Sequence, residues 1–298
     1  MSVMVSVGMP AYNGEKFIRE SIESILSQDY EDFELIISDN CSTDSTAEIC
    51  QIYATRDERI RFYKSDKNRG AAWNYNRVFN LSRGRYFKWA ADDDLCAETF
   101  LSECVAVLEN SQEAVIAFSY TPHVDLHGNM LGKEKMGHDV GPSLPVNARF
   151  KNLVCNEFGD DCRPVFGLIR TKALSETALI GNYIASDQVI LAELILRGPF
   201  IEIPKPLQFR RMHPTGTERC YRGRHRERVE WFEGNSQRKF IFPQWNLLGK
   251  FLKAIQKAPI TGKDKLLCYI EVIRWLRWGR ARMLMDDLEY NIRKLIRQ

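Results

Sequence analysis

The chain has 298 residues, 44% of them hydrophobic and 27% charged, which suits one large domain or two ordinary ones with a real core. Its formal net charge of +3 is too small to point to a nucleic-acid partner. No apolar run reaches the roughly 18 residues of a spanning helix, and the 18 glycines and 11 prolines exclude collagen-like and low-complexity classes.

In chain order, the β-branched run Val3–Val7 reads as a first strand, closed by a turn at Gly8-Met9-Pro10. Glu15–Ser27 carries Phe17, Ile18, Ile22, Ile25 and Leu26 at helical spacing. Strands follow at Phe33–Ser38, Ile60–Tyr63, Tyr86–Ala90 and Ala114–Tyr120, with helices between them at Thr43–Thr55, Gly70–Leu81 and Thr99–Leu108. This alternation predicts an α/β fold: a mostly parallel sheet covered on both faces, with right-handed crossovers. Residues 121–145 read as a loop and Arg149–Gly167 as irregular. Asp187–Arg197 reads as a helix, and Pro204-Lys205-Pro206 as a break before Leu207–Met212.

Ligands of such sheets sit at the carboxyl ends of the strands. Three polar clusters fall there: Ala11-Tyr12-Asn13, Asp39 to Asp44, and Asp92-Asp93-Asp94. Tyr12 is placed to stack on a base, and Asp39 to accept from a base N–H or a ribose hydroxyl. Ser42 and Asp44 read as caps of the next helix. Three adjacent carboxylates repel one another unless a cation or donors compensate, and hard oxygen ligands favour Mg²⁺ or Mn²⁺ over zinc. The plainer alternative for Asp94 is a helix cap near Ala97.

The eight cysteines show neither CxxC pairs nor zinc spacing and read as reduced thiols. The first 13 residues lack a basic region and a cleavage site, so no secretory signal is expected and the location is read as cytoplasmic. Residues 219–298 hold 19 Lys/Arg against 8 Asp/Glu, a net +11, on a body of −8. Within them, Arg219–Arg228 is an arginine-rich run. Leu266–Leu284 reads as one basic amphipathic helix with tryptophans at 275 and 278, suited to packing on its own domain or to peripheral contact with the inner face of an anionic membrane.

Four motifs in order resemble glycosyltransferase family 2: Val7 to Asn13, Ser38 to Thr46 (SDNCSTDST), Asn68-Arg69-Gly70 with Asn76, and Gly84 to Trp89 followed by the Asp triplet. The resemblance covers residues 3–104. It implies a GT-A (Rossmann-like) fold and transfer of a sugar from a nucleotide-diphosphate donor to a glycan or lipid-linked acceptor hydroxyl, with inversion. Carried over, the donor contacts are Pro10, Tyr12, Asn13, Asp39, Asn68, Asp92 and Arg211, and the Mn²⁺ or Mg²⁺ ligands are Asp93, Asp94 and His213. Two registers of the acidic motif stay open: Asp93 as metal ligand, or Asp92 with Asp94. Ala91 stands where the family's L-D-x-D-D carries its first Asp, and Asn40 and Cys41 replace the Asp and Gly of D-D-G.

Asp187 resembles the general base of inverting members, its alternative being the cap of its own helix. Glu157, Asp160 and Asp161 fall where the resemblance places an acceptor pocket. The expected organisation is a catalytic domain over 1–218, with a nucleotide-sugar half (1–120) and an acceptor-side half (121–218), then a basic, mainly helical region over 219–298. The rival readings are a sugar nucleotidyltransferase and a non-catalytic glycan-binding or scaffold protein of the same fold. No nucleic-acid partner is expected.

Overall fold

The computed structural model describes residues 3–132, 140–156, 163–213, 242–276 and 281–296. The arginine-rich run 219–228, Trp278 and the acceptor-pocket residues Glu157, Asp160 and Asp161 lie outside the described residues.

The first half follows the predicted alternation: β1 (Val5–Ala11), α1 (Ile18–Leu26), β2 (Phe33–Asp39), α2 (Thr46–Arg56), β3 (Ile60–Lys64), α3 (Ala71–Asn80), β4 (Tyr86–Trp89), β5 (Leu95–Cys96), α4 (Phe100–Asn110) and β6 (Ile116–Tyr120). The second half runs β7 (His123–Val124), α5 (Val146–Lys151), β8 (Leu168–Arg170), α6 (Thr171–Ser175), α7 (Ser186–Ile195), β9 (Phe200–Pro206) and β10 (Gln208–Arg211). Among the described residues three C-terminal helices follow: α8 (Pro243–Lys257), α9 (Gly262–Trp275) and α10 (Ala281–Ile296).

Seven strands form one sheet in the order β3-β2-β1-β4-β8-β6-β9. All its pairings are parallel except those of β8, which is antiparallel to both β4 and β6. β5, β10 and β7 make a separate three-stranded sheet. The strands β1 and β2 are buried along their whole lengths. Parallel strands covered on both faces read as continuous apolar runs for this reason. Helix α1 buries Ile18, Ile22 and Ile25, one stripe at spacings of four and three, each side chain contributing about 2 kcal/mol of burial.

Four expectations are corrected. The first strand extends to Ala11, so Gly8-Met9-Pro10 lies inside it. Gly8 O accepts from Ala90 N and Ala11 O from Asn40 N, so by alternation Pro10 faces the β4 side. The last residue of β4 pairs with Gly8, so Pro10, which has no N–H to donate, lies beyond the paired stretch of β4. Gly8 is needed because a Cβ there would come within 2.8 Å of Phe87 and Val78. Second, Pro204-Lys205-Pro206 does not break the chain but ends β9, the edge strand of the large sheet, where proline is tolerated. Third, the stretch expected to be irregular from Arg149 begins inside a helix, α5, which runs to Lys151.

Fourth, Trp275 in the helix expected over 266–284 is not interfacial; the structure describes that stretch as α9 up to Trp275 and α10 from Ala281, with residues 277–280 outside the described residues. Trp275 is 2% exposed and packs edge-on against Phe251 at 5.7 Å, so it belongs to the core and not to an interface. Apolar residues of α8 and α9 share a continuous core with α5, α7 and the sheet. Leu266, Ile270 and Ile273 form an exposed stripe on the outer side of α9. No described helix is long and apolar enough to cross a membrane. The described cysteines 41, 50, 96, 104 and 268 are free.

Candidate functional site

The site forms where β1, β2 and β4 end. Ala11 and Asp39 are register partners, so the loops that follow β1 and β2 leave the sheet side by side. Hydrogen bonds stitch them together, among them Asn13 N to Ser42 Oγ, Gly14 N to Thr46 Oγ1, Glu15 N to Asp44 Oδ2, Thr43 N to Asn13 Oδ1 and Ser45 N to Glu15 Oε2. Ser42 therefore joins the two loops and does not cap α2, contrary to expectation. Asp44 does accept from Thr46 N, 3.0 Å away in the first turn. These bonds to Thr46 and Glu15 hold its carboxyl below the usual range against the opposing effect of burial.

Within this frame the expected donor contacts divide. Tyr12 is 44% exposed and presents its ring at the mouth of the site. Asp39 is fully buried, its carboxylate accepting from Ser42 N at 3.2 Å. Pro10 is enclosed in β1, and Asn13 is spent on the loop. Asn68 accepts from Asn40 Nδ2 at 3.0 Å and Gly70 N at 2.9 Å, closing the turn before α3. Cys41 has φ 65°. A left-handed backbone there is the physical reason for a glycine at this point of the motif.

The acidic triplet points in three directions. Asp92 Oδ2 accepts from Tyr12 N at 3.2 Å. Asp93 Oδ2 meets His213 Nε2 at 2.9 Å. Asp94 Oδ1 accepts from Arg211 N at 3.0 Å, so it anchors the end of β10 and does not cap α4. Burial and the neighbouring Asp93 charge push Asp92 up to about 8 and Asp94 up to about 7. A raised carboxyl holds its proton in the folded state, so the metal-free turn loses stability as pH rises from the unfolded carboxylate range through 7 and 8.

Asp93 and His213 are the groups that converge with an open side, the Asp93 side chain being 32% exposed. A carboxylate with an imidazole suits Mn²⁺ better than Mg²⁺. No cluster of three or more His, Cys, Asp or Glu stands ready for a metal among the described residues. Two protein ligands fit a cation whose remaining positions go to water and substrate phosphates. His213 is held from behind by the Phe17 ring at 4.7 Å.

Gly14 lies under this turn. A Cβ there would stand 2.6 Å from Asp92 Oδ2. Gly14→Ala therefore displaces Asp92 and with it the Tyr12 amide. The expected result is a folded protein with nucleotide affinity lowered about tenfold, read by calorimetric titration against the wild type.

Asp187 sits in the first turn of α7, two residues after Ala185 in a left-handed conformation (φ 63°). Its Oδ1 accepts a local bond from Gln188 N at 2.9 Å, and the N-cap position makes no side-chain cap bond. Tyr75 was missed by sequence reasoning. Its phenol is raised by burial and then by the charges of Asp92, Asp93, Asp94 and Asp187. Its one sequence signal is its place one residue before Asn76 of the third motif. Arg211, expected at the donor phosphates, is buried, its side chain 1% exposed.

A family model described as Glycosyl transferase family 2 matches residues 6–177. The putative teichuronic acid biosynthesis glycosyltransferase TuaG of Bacillus subtilis is 37% identical over 151 residues, 51% of this chain and 58% of that protein. The chain spans about half the length of the curated relatives it matches. Among solved structures, TarS 1–349 of S. aureus in complex with UDP-GlcNAc superposes with TM-score 0.68 at 17% identity, over 93% of this chain and 73% of that one. The mannosyltransferase PcManGT of Pyrobaculum calidifontis, in complex with GDP-Man and Mn²⁺, gives 0.54 at 15% identity, over 98% and 86%. These likenesses show the fold, GT-A and Rossmann-like.

Proposed function

The chain belongs to glycosyl transferase family 2, and from that premise we propose that it transfers a sugar from a UDP-sugar to a hydroxyl of a glycan or lipid-linked acceptor, with inversion. The observation that carries the proposal is the convergence, at the ends of three neighbouring strands, of Tyr12, Asp39 and the Asp93–His213 pair. Uridine as the base draws support from the complex of TarS with UDP-GlcNAc.

In this reading the Tyr12 ring stacks on the base and Asp39 accepts from its N–H or from the ribose. Asp93 and His213 would hold Mn²⁺, which when bound neutralises charge on the donor diphosphate. Asp187 takes the proton of the acceptor hydroxyl as that oxygen attacks the anomeric carbon from the face opposite the diphosphate. One displacement with one base inverts the centre. The Tyr75 hydroxyl stays protonated in its acidic surroundings and donates a hydrogen bond between the donor and acceptor sides.

Residues 1–120 form the nucleotide-sugar half in this reading and 121–218 the acceptor-side half, with 219–298 a basic region whose described helices α8 and α9 pack against α7 and α5. Peripheral membrane contact, at a cytoplasmic face, is supported by that region's charge and by the exposed stripe of Leu266, Ile270 and Ile273. The test is incubation with UDP-glucose, UDP-GlcNAc and their epimers, with Mn²⁺ and an oligosaccharide acceptor. One UDP-sugar yielding a product of inverted anomeric configuration supports the proposal. A retained configuration overturns the single displacement, and no transfer from any UDP-sugar overturns the donor.

A further inference from the structure

We propose that Arg211 is a positioning residue, which holds the acidic turn and His213 in place for the donor site without touching the donor. The inference rests on the reading of Asp93 and His213 as the cation pair.

Each of the three guanidinium nitrogens of Arg211 has a protein partner. Nε donates to Asp93 O at 3.0 Å, Nη1 to Leu126 O at 3.2 Å and Nη2 to Glu20 Oε2 at 2.6 Å. Its own backbone N–H donates to Asp94 Oδ1 at 3.0 Å. The guanidinium lies over the Phe17 ring, 4.8 Å from its centroid, and that ring is the one that backs His213. One side chain thus ties the start of α1, the acidic turn, the turn after β7 and the end of β10, which lies two residues before His213.

A phosphate ligand needs an exposed head and unspent charge. Arg211 has neither, since its side chain is 1% exposed and Glu20 offsets its charge. To reach a diphosphate it would have to give up these bonds and leave the Asp93 carbonyl and Glu20 without it. Held as it is, it fixes the main chain on which Asp93 and Asp94 sit. Supports of this kind, behind metal-binding side chains, set ligand orientation and change metal affinity about 10- to 100-fold when removed. Lysine cannot replace a fork with three directions.

The experiment compares the full chain with Arg211→Lys and Glu20→Gln. UDP affinity is measured with Mn²⁺ and with chelator, and the His213 imidazole is observed by ¹⁵N-histidine NMR in the metal-free protein. Positioning predicts that both variants keep the metal-free UDP affinity and lose about tenfold in the Mn²⁺-dependent gain. It also predicts a shift of the His213 signals in Glu20→Gln. A direct phosphate contact predicts the reverse: Arg211→Lys keeps the gain because lysine is an adequate point charge, and Glu20→Gln binds UDP more tightly because Arg211 is released. Either of those results, or unmoved His213 signals, overturns the inference. Glu20 is half-exposed, so its variant carries the test if Arg211→Lys fails to fold. The NMR arm needs no nucleotide, so a wild type that ignores UDP would overturn the proposed function and still leave the brace tested.

Discussion

Asp187→Asn loses transfer by about a thousandfold while binding UDP as the wild type does. The magnitude is that of a positioned general base, about 10²- to 10⁴-fold. Asparagine keeps the shape and can still accept from Gln188 N, so the start of α7 persists. What disappears is the group that takes the acceptor proton. The donor site is untouched because Tyr12, Asp39 and Asp93 belong to other loops. The split is therefore in kcat, with donor affinity unchanged, and single-turnover kinetics alongside calorimetry reads it. Undiminished turnover would move the base elsewhere. A loss of UDP affinity would make Asp187 part of the donor site.

Asp93→Asn removes the Mn²⁺-dependent part of donor affinity, about a hundredfold, and leaves the metal-free part intact. The amide keeps a polar contact with His213 Nε2, found 2.9 Å from the carboxylate, so the loop is not released. Asp94→Asn is expected to do much less, because Asn still accepts from Arg211 N. The contrast between the two decides the register of the acidic motif. The reverse contrast, with the larger loss in Asp94→Asn, would assign the cation to the pair Asp92 and Asp94 instead.

The first 120 residues were legible because buried parallel strands and amphipathic helices carry distinct periods. The end of β1 was misread because Gly-Met-Pro is turn chemistry in isolation. Only the register shows Pro10 past the last residue of β4 and Gly8 pressed on Phe87. Beyond residue 120 the signals fade. β8 has three residues and β9 ends in Pro-Lys-Pro, and both take their strand character from neighbours in the sheet. The helix α9 showed its amphipathic pattern, but nothing in it said that Trp275 would be the buried side.

The site was legible as a set of polar strand ends and not as a geometry. A motif places Asp92, Asp93 and Asp94 side by side, whereas the fold sends them to Tyr12, His213 and Arg211. Arg211 reads in sequence as spare positive charge. Its partner Glu20 is on a helix near the other end of the chain, and a pairing across that distance has no local signature. Tyr75 looked like one more aromatic of α3, and its acidic surroundings come from two distant segments.

The central claim is a UDP-sugar site completed by a cation at Asp93 and His213. Calorimetric titration of the wild type with UDP, GDP, dTDP and CMP, each with Mn²⁺ and with chelator, tests it most directly. The account predicts that UDP binds most tightly and that Mn²⁺ strengthens its binding. Equal UDP affinity with and without Mn²⁺, or no binding of any of the four nucleotides, would contradict it.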